Sequence, residues 1–241
     1  LPRHEFLDRF SPDQVSWVTV TPENLPLIYA DTTLLLYQRQ GFVSTISQPS
    51  FVLRMLDMLD LAPGMRVFEL GTGSGWNAAL IGHMVGENGK VISFESIPEM
   101  AEQAIRHLKK FNLPQVEVIE GDALEGIWEM KEFDRGIFTA GAWDMPGILF
   151  DVMKVGGKLL FVLKTSRGDL LMLLGRKKDH FKVLDTLPCR FVTVTGASQN
   201  IYHSNLSDLY LAKGEITIWP QGSMGLGPNV IAGRDMIFKI N

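Results

Sequence analysis

The sequence predicts an α/β chain built on a doubly wound, mostly parallel, Rossmann-like sheet. Three observations carry this. Apolar β-type runs alternate with helix-period segments, a Gly-rich turn joins the first such run to the first helix, and acidic residues close successive runs. Residues 65–70 read as a strand and 76–85 as the helix after the turn. A second strand covers 90–95. The helix that follows, 98–111, places Ala101, Ala104, Ile105 and Leu108 on one face. Further strands are expected at 116–119, 133–139 and 158–163, the last after the Gly156-Gly157 turn. Two late runs, 181–187 and 190–195, have no helix between them, so they are expected to pair as an antiparallel edge hairpin around Pro188.

Length and composition set the outer bounds. The chain has 241 residues, 46% hydrophobic and 21% charged, which suits one large globular α/β unit with appendages. Its net charge of -4 argues against a nucleic-acid partner, because phosphate neutralisation needs a basic surface. The short cluster Arg176-Lys177-Lys178 reads as a solvated turn. Cys189 is the only cysteine, and no apolar run approaches the ~20 residues that span a bilayer. A cytoplasmic protein without membrane partners is therefore expected. Three regions are expected: an N-terminal cap at 1–44, a core at 45–196 and a C-terminal extension at 197–241. In that extension Gly222, Gly225, Gly227 and Gly233, with Pro220 and Pro228, read as a surface loop.

The segment Glu69-Leu70-Gly71-Thr72-Gly73-Ser74-Gly75-Trp76 has the spacing Gly-x-Gly-x-Gly. Its glycines permit unusual dihedrals and close ligand approach, and the helix start behind them offers free N–H groups. The dinucleotide fingerprint needs a third glycine where Trp76 stands, so that ligand class is disfavoured. The carboxylate of Glu69, just before the turn, suits a cationic ligand. S-adenosylmethionine, with an ammonium and a sulfonium, meets that electrostatic demand. Glu95 closes the second strand and is expected to accept the ribose hydroxyls. Asp122, closing the third, is expected to accept from the adenine amino group.

The run Thr45-Ile46-Ser47-Gln48-Pro49, followed by Val67-Phe68-Glu69-Leu70-Gly71-Thr72-Gly73-Ser74-Gly75, resembles the protein-L-isoaspartate O-methyltransferases. Pro2-Arg3-His4-Glu5-Phe6, Tyr29-Ala30-Asp31, Gly121-Asp122, Phe133-Asp134, Gly156-Gly157-Lys158-Leu159 and Arg190-Phe191-Val192 add to the likeness, which covers roughly residues 29–196. It implies a repair methyltransferase acting on the free α-carboxylate of L-isoaspartyl residues in damaged proteins or peptides, with S-adenosyl-L-homocysteine as product. The alternative is a relative that methylates a carboxylate of a dedicated peptide or small molecule. Ser47 matches the family's active-site serine, and no His and Asp are arranged to make it a nucleophile. Ser47 as the N-cap of a helix from Pro49 is an equally good reading of the residues alone. The expected cofactor set is Ile46, Ser47, Glu69, Gly71, Thr72, Gly73, Gly75, Glu95, Ser96, Asp122, Ala123 and Thr195; no metal site is expected. The chain departs from the family at Thr193, where a proline is usual, in about twenty extra residues near 7–27, and in the tail from Ala197.

Overall fold

The computed structural model describes residues 1–39, 41–130, 132–194, 209, 215–223 and 229–240. The chain forms two compact units, Leu1–Gly121 and Asp122–Asn241.

The first unit begins with a single turn of 3-10 helix at Arg3–Phe6, then the short antiparallel pair β1 (Arg9–Phe10) and β2 (Val18–Thr19). Helix α1 (Leu25–Tyr29) leads into the antiparallel hairpin of β3 (Leu34–Arg39) and β4 (Phe42–Ile46). The parallel part follows: α2 (Pro49–Leu59), β5 (Arg66–Leu70), α3 (Trp76–Val85), β6 (Lys90–Glu95), α4 (Pro98–Lys109) and β7 (Val116–Glu120). Strands β5, β6 and β7 lie in that order and pair in parallel. Helices α2 and α4 both start on a proline, whose fixed φ and missing N–H suit the first helical position. Helix α2 buries Val52, Met55, Leu56 and Leu59, the 3.6-residue stripe of a helix packed on one side.

The second unit contains α5 (Ala123–Gly126), β8 (Phe133–Phe138), α6 (Ile148–Val152), β9 (Met153–Thr165), β10 (Gly168–Arg176), β11 (Phe181–Cys189), β12 (Ile216–Pro220), β13 (Val230–Ala232) and β14 (Met236–Ile240). Their order is β13-β14-β12-β11-β10-β9-β8. Only β8 and β9 pair in parallel; the others pair antiparallel. The antiparallel edge is thus much longer than one hairpin. The hairpin itself is β10–β11, and Pro188 sits inside β11 opposite Leu170. Strand β12 reaches β11 only at Phe181 and Lys182, so the far half of β11 is an edge among the described residues, where a missing N–H costs no ladder bond. Segment 190–194 is not the partner expected for that hairpin. It crosses to the 140s loop, where Gly141 donates to Val192 O at 2.7 Å and accepts from Val194 N at 2.9 Å.

Gly156-Gly157 is not a turn before β9 but an irregularity within it, between Phe133 and Arg135 in register. A Cβ on Gly157 would stand 2.9 Å from Lys154 O and 3.0 Å from Asp134 O, so no other residue fits there. Of the expected glycine loop, Gly225, Gly227 and Pro228 lie outside the described residues. Gly233 is a packing glycine, since a Cβ there would collide with the Asp144 carboxylate, which accepts from the Arg234 and Met145 N–H groups. Among the described residues, no helix is long and apolar enough to cross a membrane.

Candidate cofactor and active site

In the first unit, β5 ends at Leu70 and α3 begins at Trp76, with the glycine turn between them. Gly71, Gly73 and Gly75 have φ of +97°, +54° and +85°, the left-handed region that only glycine enters without strain. Gly75 is also a close-packing position: a Cβ there would sit 3.3 Å from the Ala104 Cβ of α4. The turn is then pinned from several sides. Gly71 and Thr72 both donate to Phe94 O, at 2.9 and 3.1 Å. The Ser74 carbonyl is held by Nδ1 of the buried His107 at 3.0 Å, whose Nε2 meets Asp8 Oδ1 at 3.1 Å.

Glu95 closes β6 and is 5% exposed. Its Oε2 accepts from Gly73 N at 2.8 Å and its Oε1 from Ile97 N at 3.0 Å. Burial raises its pKa, against the N–H groups of Ile97, Gly73 and Ser96, which favour the charged form. A carboxylate has about four lone-pair directions, so each oxygen keeps acceptor capacity after these bonds. That is what a vicinal diol needs, and Ser96 is the next residue along.

Glu69 sits differently from the ligand-facing acid expected of it. It is fully buried, with Oε1 accepting from Asn77 Nδ2 at 2.6 Å and Oε2 from Ser93 Oγ at 2.5 Å. Ser93 Oγ in turn lies 2.6 Å from Thr72 Oγ1. Burial pushes the Glu69 carboxyl up to about 7; the Ser93 and Asn77 bonds oppose this and the Glu95 charge adds to it. Glu69 therefore acts on the turn through Thr72, which is 4% exposed and also internal to this network.

The Thr45-Ile46-Ser47 run comes to the turn by way of the β3–β4 hairpin. A Cβ on Gly73 would lie 3.5 Å from Ser44 Oγ and 3.8 Å from Thr45 O, so this segment passes directly beside the middle glycine. Ile46 is 5% exposed and Ser47 half-buried. Ser47 does not cap α2. The N-cap is Gln48, without a side-chain cap bond. The capping is done from outside: Asp31 Oδ1 accepts from Ser50 N at 2.9 Å and Oδ2 from Ser50 Oγ at 2.7 Å, and these bonds hold the Asp31 pKa down. With α2 capped by Asp31, the Ser47 hydroxyl is left for another use.

Glu69, Gly71, Thr72, Gly73, Gly75, Glu95 and Ser96 are thus gathered in the first unit around one turn, and Ile46 and Ser47 directly follow the Ser44-Thr45 step that lies against Gly73. Asp122 and Ala123 belong to the second unit, where Asp122 caps α5 by accepting from Leu124 N at 2.9 Å and Ala123 is 3% exposed. Thr195 lies outside the described residues. Segment 191–194, the departure from the family pattern, is fastened by Lys164 and Asp169: Lys164 Nζ donates to both Asp169 oxygens and to Phe191 O, and Phe191 N donates to Asp169 Oδ2 at 2.8 Å. Asn77, Ser93, His107, Asp31 and Arg3 were not expected at the site. Only the last two carried a signal, through the Pro-Arg-His-Glu-Phe and Tyr-Ala-Asp matches.

Comparison with known proteins gives the family and the fold. Residues 16–199 match the family model "Protein-L-isoaspartate(D-aspartate) O-methyltransferase (PCMT)". A protein-L-isoaspartate O-methyltransferase of Pyrococcus horikoshii is 41% identical over 154 residues, 63% of this chain and 69% of that protein. One from Thermotoga maritima is 33% identical over 208 residues, 85% of this chain and 62% of that protein. A solved protein-L-isoaspartate O-methyltransferase superposes with a TM-score of 0.73 at 26% identity, covering 100% of this chain and 80% of its own. A Plasmodium falciparum structure in complex with S-adenosyl-L-homocysteine shares the fold, with a TM-score of 0.61 at 21% identity and coverage of 80% and 85%. The expected Rossmann-like methyltransferase fold is the one the chain has. On its matched length, its identity to these relatives and its fold, the chain belongs to the protein-L-isoaspartate (D-aspartate) O-methyltransferase family.

Proposed function

We propose that the chain transfers a methyl group from S-adenosyl-L-methionine to the free α-carboxylate of L-isoaspartyl residues in damaged proteins or peptides, a repair reaction. The observation that carries this is the Ser44 hydroxyl and Thr45 carbonyl lying against Gly73, whose N–H is held by Glu95: the strand leading to the Ser47 loop and the cofactor turn are one assembly. The residues fit the cofactor. Glu95 keeps acceptor capacity for two ribose hydroxyls, and the glycine turn brings backbone, not side chains, to the ligand. Bound there, S-adenosyl-L-methionine supplies a methyl on a positive sulfur, which leaves as a neutral thioether when a carboxylate oxygen takes the methyl.

The chain's own residues then have a limited task. The acceptor carboxylate is already ionised at pH 7, so no general base is needed. Ser47 donates a hydrogen bond from its hydroxyl to one carboxylate oxygen and leaves the other turned toward the methyl. Isoaspartate carries its free carboxylate on the α-carbon, one methylene closer to the main chain than in aspartate. A misplacement of about 1 Å costs on the order of a hundredfold in rate, so one site cannot serve both isomers equally. Asp122, Ala123 and Thr195 are further proposed cofactor residues, Asp122 as acceptor for the adenine amino group. The proposed organisation is a cap at 1–44, a catalytic core at 45–196 and an extension at 197–241. The proposed compartment is the cytoplasm, in keeping with a single cysteine.

Methyl transfer to an isoaspartyl peptide, run beside its aspartyl isomer, tests the reading. Ester on the first and little on the second is expected. No ester on a panel of isoaspartyl peptides, with S-adenosyl-L-homocysteine bound well, overturns it in favour of a dedicated carboxylate substrate.

A further inference from the structure

We infer that Arg3 is the positioning residue that sets the aim of Ser47, acting through the loop backbone and never touching substrate. This rests on the reading of Ser47 as the substrate-facing hydroxyl. Arg3 is 1% exposed, at the start of the first 3-10 turn. Its Nη1 donates to Ile28 O at 2.5 Å and Ala30 O at 3.5 Å; its Nη2 donates to Thr32 O at 3.2 Å, Ile46 O at 3.3 Å and Ser47 O at 2.8 Å. One guanidinium therefore gathers carbonyls from two segments, 28–32 and 46–47. The planar fork makes that possible, because its donors point outward in fixed directions in one plane, where an ammonium offers a single point.

The loop has few other fixings. Between the end of β4 at Ile46 and the start of α2 at Pro49, the Ile46 and Ser47 carbonyls are both held by Arg3. Beyond it, Ser50 is held by Asp31, and Asp31 lies in the 28–32 segment that Arg3 also binds. The Ser47 loop is thus closed on itself by two clamps sharing one anchor. The same guanidinium lies 5.5 Å from the centroid of the Trp76 ring, and Trp76 Nε1 donates to Leu1 O at 3.2 Å, so the anchor is keyed to the first residue of α3 after the glycine turn. Burial lowers the Arg3 pKa to about 10, partly offset by Asp31 and Tyr29, so the group stays charged at neutral pH.

The test is a double-mutant cycle between Arg3→Lys and Ser47→Ala, read as kcat on an isoaspartyl peptide below each variant's melting transition. Arg3→Lys keeps the charge and loses the fork. We expect it to lower kcat tenfold or more in the native background and twofold or less in the Ser47→Ala background. Hydrogen exchange on Arg3→Lys is expected to speed up at residues 28–32 and 45–49 while α3 and α4 stay protected, a pattern that general destabilisation does not give. Arg3→Met, with neither charge nor fork, is expected to match Arg3→Lys in kcat. Equal losses in both backgrounds, full activity in Arg3→Lys, or unchanged exchange in the loop overturns the inference and leaves Ser47 in place. Unaltered turnover in Ser47→Ala sinks the reading of Ser47, and the aim of Ser47 with it.

Discussion

The glycine turn and Ser47 loop of the first unit stand in contrast to strands β9 and β10 of the second. In β9 and β10, residues 159–163 and 170–174 are almost wholly buried and entirely apolar. Around the turn, beside apolar neighbours such as Ile46 and Trp76, the polar and charged side chains Arg3, Glu69, Thr72, Ser74, Ser93, Glu95 and His107 are buried as well. The difference lies in what each backbone lacks. A strand inside an antiparallel ladder satisfies its own N–H and C=O groups, so apolar burial suffices. The turn and loop have no ladder, and Arg3, Glu95, Ser74 and His107 stand in for the missing backbone partners. Irregular backbone at the site is thus what the Arg3 and Glu95 charges serve.

The largest expected effect attacks the apolar side. Phe161, 0% exposed and edge-on to Phe138 at 4.9 Å, leaves a cavity on Phe161→Ala that lowers unfolding free energy by ~3–5 kcal/mol in a denaturant titration. S-adenosyl-L-homocysteine affinity below the transition is expected to hold, and a parallel loss of both would erase the contrast.

Next comes Glu69. Its folded pKa of about 7 stands above its ordinary 4.5, so the native state binds the proton more tightly than the unfolded chain. Its contribution is full below about pH 4.5 and is lost as pH rises through 7, by on the order of 3 kcal/mol. Glu69→Gln is expected to flatten melting temperature against pH across that window and to raise it relative to the native protein at pH 8. A slope that survives the substitution assigns the titration elsewhere.

Glu95→Ala is expected to weaken S-adenosyl-L-homocysteine binding by ~1.5–3 kcal/mol, roughly tenfold or more, as read by calorimetry. Unchanged affinity means the ribose is not there.

The smallest effect separates cap from catalyst. Asp31→Ala is expected to lower the melting temperature by a few degrees, as loss of a helix cap does, while Ser47→Ala slows turnover and leaves melting unmoved. The reverse pattern would return Ser47 to the role of cap.

The two regions also differed in how far the sequence disclosed them. Helix α3 and strand β6 have the bounds expected from the residues, and α4 ends only two residues early, at Lys109. Here the amphipathic period marks α4, and the glycine spacing marks where α3 begins. Strand β10 was not foreseen. Buried on both faces, it shows neither alternation nor helical period, and only its pairing with β9 and β11 makes it a strand. The expected hairpin at 181–195 had the right first arm and the wrong partner, because Pro188 reads as a turn unless one knows it stands on an edge. In the site, the types and positions of Glu95, Gly71, Gly73 and Gly75 were legible from spacing. That Glu69 faces Asn77 and Ser93 was not, since strand periodicity gives a side but not the partner waiting there. Arg3 and Asp31 were visible only as matches to a pattern. Their work joins residues 19 to 44 positions apart, for which no local spacing exists.

The N-terminal segment carries a consequence for the order in which the molecule assembles. Trp76 reaches Leu1 across 75 positions, Arg106 and His107 reach Asp8 across 98 and 99, and Lys110 reaches Glu5 across 105. Phe6 stacks on Phe111 at 4.8 Å. These residues leave the ribosome ahead of every partner they have, and loop-closure entropy makes such distant pairings late events. The sheet core between 65 and 120 can form from near neighbours, whereas the Ser47 loop takes its final shape only when residues 1–8 return to it. Refolding is therefore expected to restore compactness first and catalytic competence last, with the indole of Trp76, whose N–H meets Leu1, reporting that closing step once the other four tryptophans are replaced by phenylalanine.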